Sequence, residues 1–227
     1  MEKYTEYPLF LAMASFWGLN YIMVKFALVY DGPFSILLYR VVLGAAFSVI
    51  LFRKQLHFPR GLKEHGKFFV LSLFNISGFM GLWFLGETTV NASMTSIIIY
   101  SYPLIVTVIS FFVLHEEAKF YNIIGTITGF TGLIIIFAGN IRIGNYTGIL
   151  LLVLSAISWS IGTIYYKKYF RSYSAPNVNS LQLVYALPLI IILTFLEGGI
   201  NHGLLNVNFI LIMIYMGSLG TAVAYFI

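Results

Sequence analysis

LFLAMASFWGLNYIMVK at residues 9–25 and LLVLSAISWSIGTIYYK at residues 151–167 are apolar stretches of equal length. Laid one on the other they match at Leu9/Leu151, Ala14/Ala156, Trp17/Trp159, Ile22/Ile164 and Lys25/Lys167. The offset (151 − 9 = 142) continues without gaps through Val42/Val184, Ile50/Ile192, Gly61/Gly203, Leu62/Leu204, Gly78/Gly220 and Phe84/Phe226. Apolar residues often match by chance, so the identities alone carry little. What marks a duplication is that apolar segments fall on apolar segments and connections on connections throughout. Five such segments fit within one offset. Because five is odd, the second copy enters the membrane from the opposite side, which is the inverted repeat common among secondary transporters.

Composition agrees: 59% of the 227 residues are hydrophobic, 18% aromatic and only 9% charged. About 20 apolar residues cross a hydrocarbon core of roughly 30 Å, and lipid forces each segment to satisfy its own backbone. Eight stretches qualify: Pro8–Tyr30, Pro33–Phe52, Phe68–Leu85, Val90–Leu114, Tyr121–Ala138, Tyr146–Tyr166, Leu181–Leu196 and Val207–Ile227. The expected fold is therefore an all-α polytopic membrane protein, with residues 1–141 as a first five-helix copy and 142–227 as an incomplete second one. The alternating strands of an outer-membrane barrel are absent from the sequence. The first stretch follows Glu2 and Glu6 and lacks a small-residue cleavage site, so it reads as a retained helix.

Cationic side chains in short loops stay cytoplasmic. With the N-terminus inside, Lys3, Arg53, Lys54, Arg60, Lys63, Lys67, Lys119, Lys167, Lys168 and Arg171 all fall on the cytoplasmic side, and Arg142 alone falls outside. Asp31 and Glu87 are placed outside as well. The net charge of +5 is thus a footprint of membrane insertion. No basic, aromatic-interleaved soluble segment suggests a nucleic-acid partner. There is no cysteine, so thiolate metal sites are excluded. His57, His65, His115 and His202 fall at loops or helix ends without metal-ligand spacing, and read as surface residues. No phosphate-binding loop is present. No cofactor, metal or catalytic residue is expected, and the chain is not expected to be an enzyme. Asn91-Ala-Ser93 and Asn145-Tyr-Thr147 fit the glycosylation sequon.

Pro103-Leu-Ile-Val-Thr-Val-Ile-Ser-Phe-Phe-Val-Leu-His-Glu116, followed by Gly125, Gly129 and Gly132, resembles the end of an EamA domain of the drug/metabolite transporter superfamily. Ala14-Ser-Phe-Trp17-Gly18 resembles that domain's opening, and Gly220-Thr-Ala-Val-Ala-Tyr225 its third helix. Glu117 departs from the pattern, which commonly has arginine there. The resemblance implies ten helices in two inverted copies. Eight are present and Ile227 lies inside an apolar run, so the sequence is expected to be a fragment.

Polar side chains inside the membrane must face partners or a water-filled cavity. Arg40 lies near the middle of the second segment, where a cation costs roughly 3 kcal/mol or more to insert. It is expected to line a central cavity, with pairing to a tyrosine or a carbonyl as the structural alternative. Trp17, Asn20, Tyr21 and Lys25 share one helical face, although Lys25 lies close enough to the membrane edge to snorkel. Asn75 and Trp83 on the third segment, Tyr100 on the fourth, and Trp159, Gln182 and Tyr225 in the second copy complete the expected substrate-binding set. Gln182 falls on Arg40 in register, so the charge is not duplicated. Gly125-x3-Gly129 and Gly78-x2-Gly81 are expected to allow close helix packing, and Glu116 to serve as a helix-end contact.

No carboxylate is expected deep in the membrane, where exporters of cationic drugs in this superfamily carry one. Lys25 and Arg40 would instead repel a cation. The expectation is a secondary active transporter, working as an exporter by alternating access, of small zwitterionic or anionic metabolites such as amino acids or organic acids. A drug or purine-like exporter and a non-transporting scaffold are the alternatives. The expected partners are the lipid bilayer of the plasma membrane, the metabolite itself and, as a homodimer, a second copy of the chain.

Overall fold

Prolines and asparagines start most of the helices. In the computed structural model, which describes residues 3–115, 120–138, 145–200 and 206–225, Pro33 opens α2 (Pro33–Phe52) at a position where its missing N–H costs nothing. Pro176 does the same for α9 (Ala175–Glu197). Asn91 caps α5 (Ala92–Ile99) by accepting from Met94 N at 2.8 Å. Asn145 caps α8 (Tyr146–Tyr169) and Asn206 caps α10 (Val207–Gly217) in the same way. Both sequon asparagines therefore use their amide oxygens as helix caps. The remaining helices are α1 (Lys3–Ala27), α3 (Leu62–Ser72), α4 (Phe79–Glu87), α6 (Tyr102–Val113) and α7 (Phe120–Phe137).

The described residues form helices and connections, with six stretches long and apolar enough to cross a membrane, among them Leu62–Glu87 and Ala92–Val113. The protein is an all-helical, multi-pass membrane protein. The third and seventh spans start well before their apolar runs. The third begins at Leu62 rather than Phe68, and the seventh at Ala175 rather than Leu181, because a polar first turn extends each. The fourth span is interrupted at Tyr100 and Ser101, just before Pro103, which has no N–H to continue the ladder. Glu116, Glu117, Lys119, Arg142, His202, Gly203, Leu204 and Phe226 lie outside the described residues.

Two single π-helical turns interrupt otherwise α-helical spans, at Leu73–Gly78 between α3 and α4 and at Ser218–Val223 after α10. They overlap under the offset of 142, which carries Gly78 onto Gly220. A π turn inserts one residue and leaves carbonyl groups out of α register, and such turns are frequent at functional sites.

The chain divides into two compact units, residues 1–68 with 173–227 and residues 69–172, so each holds helices from both halves of the sequence. In the first unit α2 lies along α9, with Ile36, Leu37, Val41, Val178, Leu181 and Ile190 fully buried. Polar bonds pin both ends of this pair. Thr194 Oγ1 donates to Phe34 O at 3.1 Å and Phe34 N donates to Glu197 Oε2 at 2.9 Å. At the other end His57 N donates to Asn177 Oδ1 at 3.0 Å and Asn177 Nδ2 returns to His57 O at 3.3 Å. His65 is half-buried, with its ring bonded to Tyr185 OH, and so is part of the packing rather than a surface residue.

In the second unit α8 lies against α4 and the preceding π turn through Gly148, Leu152, Ser155 and Gly162, one face of a helix. Backbones approach closely there: a Cβ at Gly86 would lie 2.9 Å from Gly148 O, and one at Gly148 only 2.2 Å from Thr89 Oγ1. Gly78 is packed as expected, since a Cβ there would meet Ser158 Oγ at 2.5 Å. The expectation for Gly125 and Gly129 is not met. Among the described residues nothing lies within 4 Å of a Cβ at either. They line instead a cleft of about 470 Å³ with Tyr100, Pro103, Thr126 and Phe130.

Candidate functional site

Arg40 is 2% exposed, on the face of α2 turned toward the π turn that follows α10. Its Nε donates to Thr221 Oγ1 at 2.9 Å and its Nη2 to Gly220 O at 3.3 Å. Thr221 in turn donates its hydroxyl hydrogen to Met216 O at 2.8 Å, which leaves an oxygen lone pair for Arg40. Gly220 O also accepts from Asn20 Nδ2 at 3.4 Å. The π turn thus supplies the acceptors, and α1 and α2 supply the donors. Tyr21, Tyr215 and Tyr225 are the electrostatic neighbours of the guanidinium. Of the two readings of Arg40, the structure displays the pairing with protein acceptors.

Trp17 stands edge-on to Tyr225, with centroids 6.1 Å apart and planes at 80°. Asn179 Nδ2 donates to the Tyr225 carbonyl and Asn179 Oδ1 accepts from Gln182 Nε2 at 3.2 Å. Trp17, Asn20, Tyr21, Arg40, Gln182 and Tyr225 therefore gather around the end of α10 in the first unit. Lys25 lies one turn beyond Tyr21 and is half-buried.

Asn75, Trp83, Tyr100 and Trp159 belong to the second unit. Trp159 packs on Phe79 with centroids 4.5 Å apart and on Tyr102 at 6.2 Å. Asn75 is 6% exposed, against α8 where Gly162 leaves room for its amide. Trp83 donates its indole N–H to Glu87. Glu87 is fully buried.

Thr221, Asn179 and Tyr215 were missed among the polar candidates. Tyr215 OH donates to Phe16 O at 3.0 Å. A threonine in an apolar run carries no sequence mark of function. Only the π turn, which no periodicity announces, aims Thr221 at Arg40. Among the described residues no cluster of three or more metal-ligating side chains occurs.

The EamA-like transporter family model matches residues 5–138 and 146–227, so the chain belongs to the EamA-like transporter family. The uncharacterized transporter YvbV of Bacillus subtilis (strain 168) is 34% identical over 173 residues, a match covering 74% of this chain and 54% of YvbV. The uncharacterized transporter YoaV of the same strain is 27% identical over 222 residues, covering 95% of this chain and 75% of its own. A WAT1-related chloroplastic protein, At3g02690 of Arabidopsis thaliana, is 25% identical and covers 98% of the chain and 56% of its own length. The chain thus spans only about half the length of YvbV and of the Arabidopsis protein. A crystal structure of a protein with 14% identity superposes with a TM-score of 0.75, covering 96% of this chain and 75% of that one, and shares the fold.

Proposed function

We propose that this member of the family is a secondary active transporter of small zwitterionic or anionic metabolites, amino acids or organic acids, and that it exports them by alternating access. The observation that carries the reading is Arg40. A guanidinium held at membrane depth is costly, and its planar fork matches a carboxylate bidentately. Among its partners are the Thr221 hydroxyl and the Gly220 carbonyl, which hold the guanidinium in place on α2. Asn20, Tyr21 and Tyr225 would bind the rest of such a solute through amide and phenol groups, with Trp17 as an apolar wall.

Substitution Arg40→Ala is expected to reduce uptake of radiolabelled amino and organic acids into proteoliposomes at least tenfold. Arg40→Lys should restore it only in part, since lysine offers a point charge. Normal flux of both substrate classes through Arg40→Ala at equal reconstitution would overturn the reading. The proposed orientation places the N-terminus in the cytoplasm of the plasma membrane. A cysteine at position 60 should then resist an impermeant reagent added to intact cells, and labelling there would reverse the topology.

A further inference from the structure

We propose that Thr221 Oγ1 and the Gly220 carbonyl are built-in stand-ins for a substrate carboxylate on Arg40, so that binding is an exchange that releases the π turn Ser218–Val223 and moves Tyr225 off Trp17. The proposal deepens the reading of Arg40 given above and rests on it.

The π turn places two acceptors, one from the side chain of Thr221 and one from the backbone of Gly220, on two different nitrogens of one guanidinium. Nε and Nη2 are two donors that a carboxylate can engage with its two oxygens. A guanidinium and a carboxylate carry opposite charges and can pair through two parallel N–H···O bonds, an attraction that a neutral hydroxyl and a carbonyl do not supply. A carboxylate therefore displaces both acceptors, whereas a neutral amide of the same shape gains nothing by the exchange. Selection for an anion arises from competition with the protein's own oxygens.

Exchange also changes the turn. The Gly220 carbonyl keeps only the longer contact from Asn20 Nδ2, at 3.4 Å, and Thr221 keeps only its bond to Met216 O. A π turn carries one residue more than the α turn it replaces. Tightening it shifts everything beyond by one residue, a rotation of about 100° at 3.6 residues per turn. Tyr225 lies two residues beyond the turn, after Ala224, and its edge-on contact with Trp17 lies where that rotation is felt.

The test uses the protein labelled with 5-fluorotryptophan in lipid nanodiscs, where its three tryptophans give three fluorine resonances. The probes are acetate, glycine and benzoate, each against its neutral amide: acetamide, glycinamide and benzamide. At least one carboxylate is expected to shift the Trp17 resonance, and its amide to leave it in place. Thr221→Val keeps the branched shape and removes the competing oxygen, and should lower the half-shift concentration about fivefold, the worth of one neutral hydrogen bond. Thr221→Ser should match the parent. A Trp17 resonance that no carboxylate moves, or that amides move equally, overturns the exchange. So does a Thr221→Val midpoint at or above the parent's. The carboxylate and amide comparison on the parent decides the matter even if Thr221→Val fails to fold. If Arg40→Ala abolishes transport while the resonance stays fixed, the exchange fails and the substrate site stands. Normal transport by Arg40→Ala removes the site itself.

Discussion

The π turn at Leu73–Gly78 and the one at Ser218–Val223 overlap under the offset of 142, yet different chemistry holds them. In the first, neutral hydroxyls on one neighbouring helix do the work: Ser158 Oγ donates to Phe74 O at 2.8 Å, and Ser155 Oγ to Phe79 O at 2.7 Å. In the second, a cation on α2 and an amide on α1 supply the donors. The small residue also changes sides. Gly162 on α8 makes room for Asn75 of the first turn, while Asn20, which corresponds to Gly162 under the offset, reaches toward Gly220 of the second. A serine bonded to a carbonyl in an apolar contact has no stronger competitor in lipid, so we propose a structural role for the first turn. The second turn carries the proposed exchange, because Arg40 bonds it through two nitrogens of one guanidinium. Of the two turns, the second is bonded by a charged side chain, Arg40.

The sharpest way to break this contrast is to overfill the packed unit. Gly148→Leu places side-chain atoms where Thr89 and the Gly86 carbonyl already sit. It should cost about 3 kcal/mol or prevent assembly, read as a loss of thermal stability in detergent. The same substitution at Gly125, beside the open cleft, should change the melting temperature little. Equal damage at both positions would show that the cleft is filled in the membrane.

A smaller effect is expected from Ser158→Ala. Interhelical hydrogen bonds in membranes contribute about 0.6 kcal/mol on average and up to roughly 1.7. Stability should fall by about 1 kcal/mol with substrate affinity unchanged, because Ser158 serves the structural turn. A change in carboxylate affinity from Ser158→Ala would erase the distinction between the two turns.

Much of the architecture was legible because lipid is a demanding solvent. A run of about 20 apolar residues has few alternatives to a helix, so the spans Pro33–Phe52 and Tyr146–Tyr166 were placed nearly to the residue. Asn20, Tyr21 and Arg40 stood out because polar groups at that depth need partners. What those partners would be was not legible. Phe79 opposite Trp159 and Ser158 opposite Gly78 join residues about 80 positions apart, and nothing in either run marks the other.

The sequence by itself determined that the chain is helical, crosses the membrane repeatedly and carries one arginine, Arg40, within an apolar span. Hydrophobicity and periodicity are local properties, and each segment expresses them alone. Only the tertiary structure decided that Arg40 rests on Thr221 and Gly220, that Glu87 is buried, and that the Gly125 stripe stays open while Gly148 is packed. Those outcomes depend on which helix faces which, and on a single extra residue in a turn that re-aims every side chain near it.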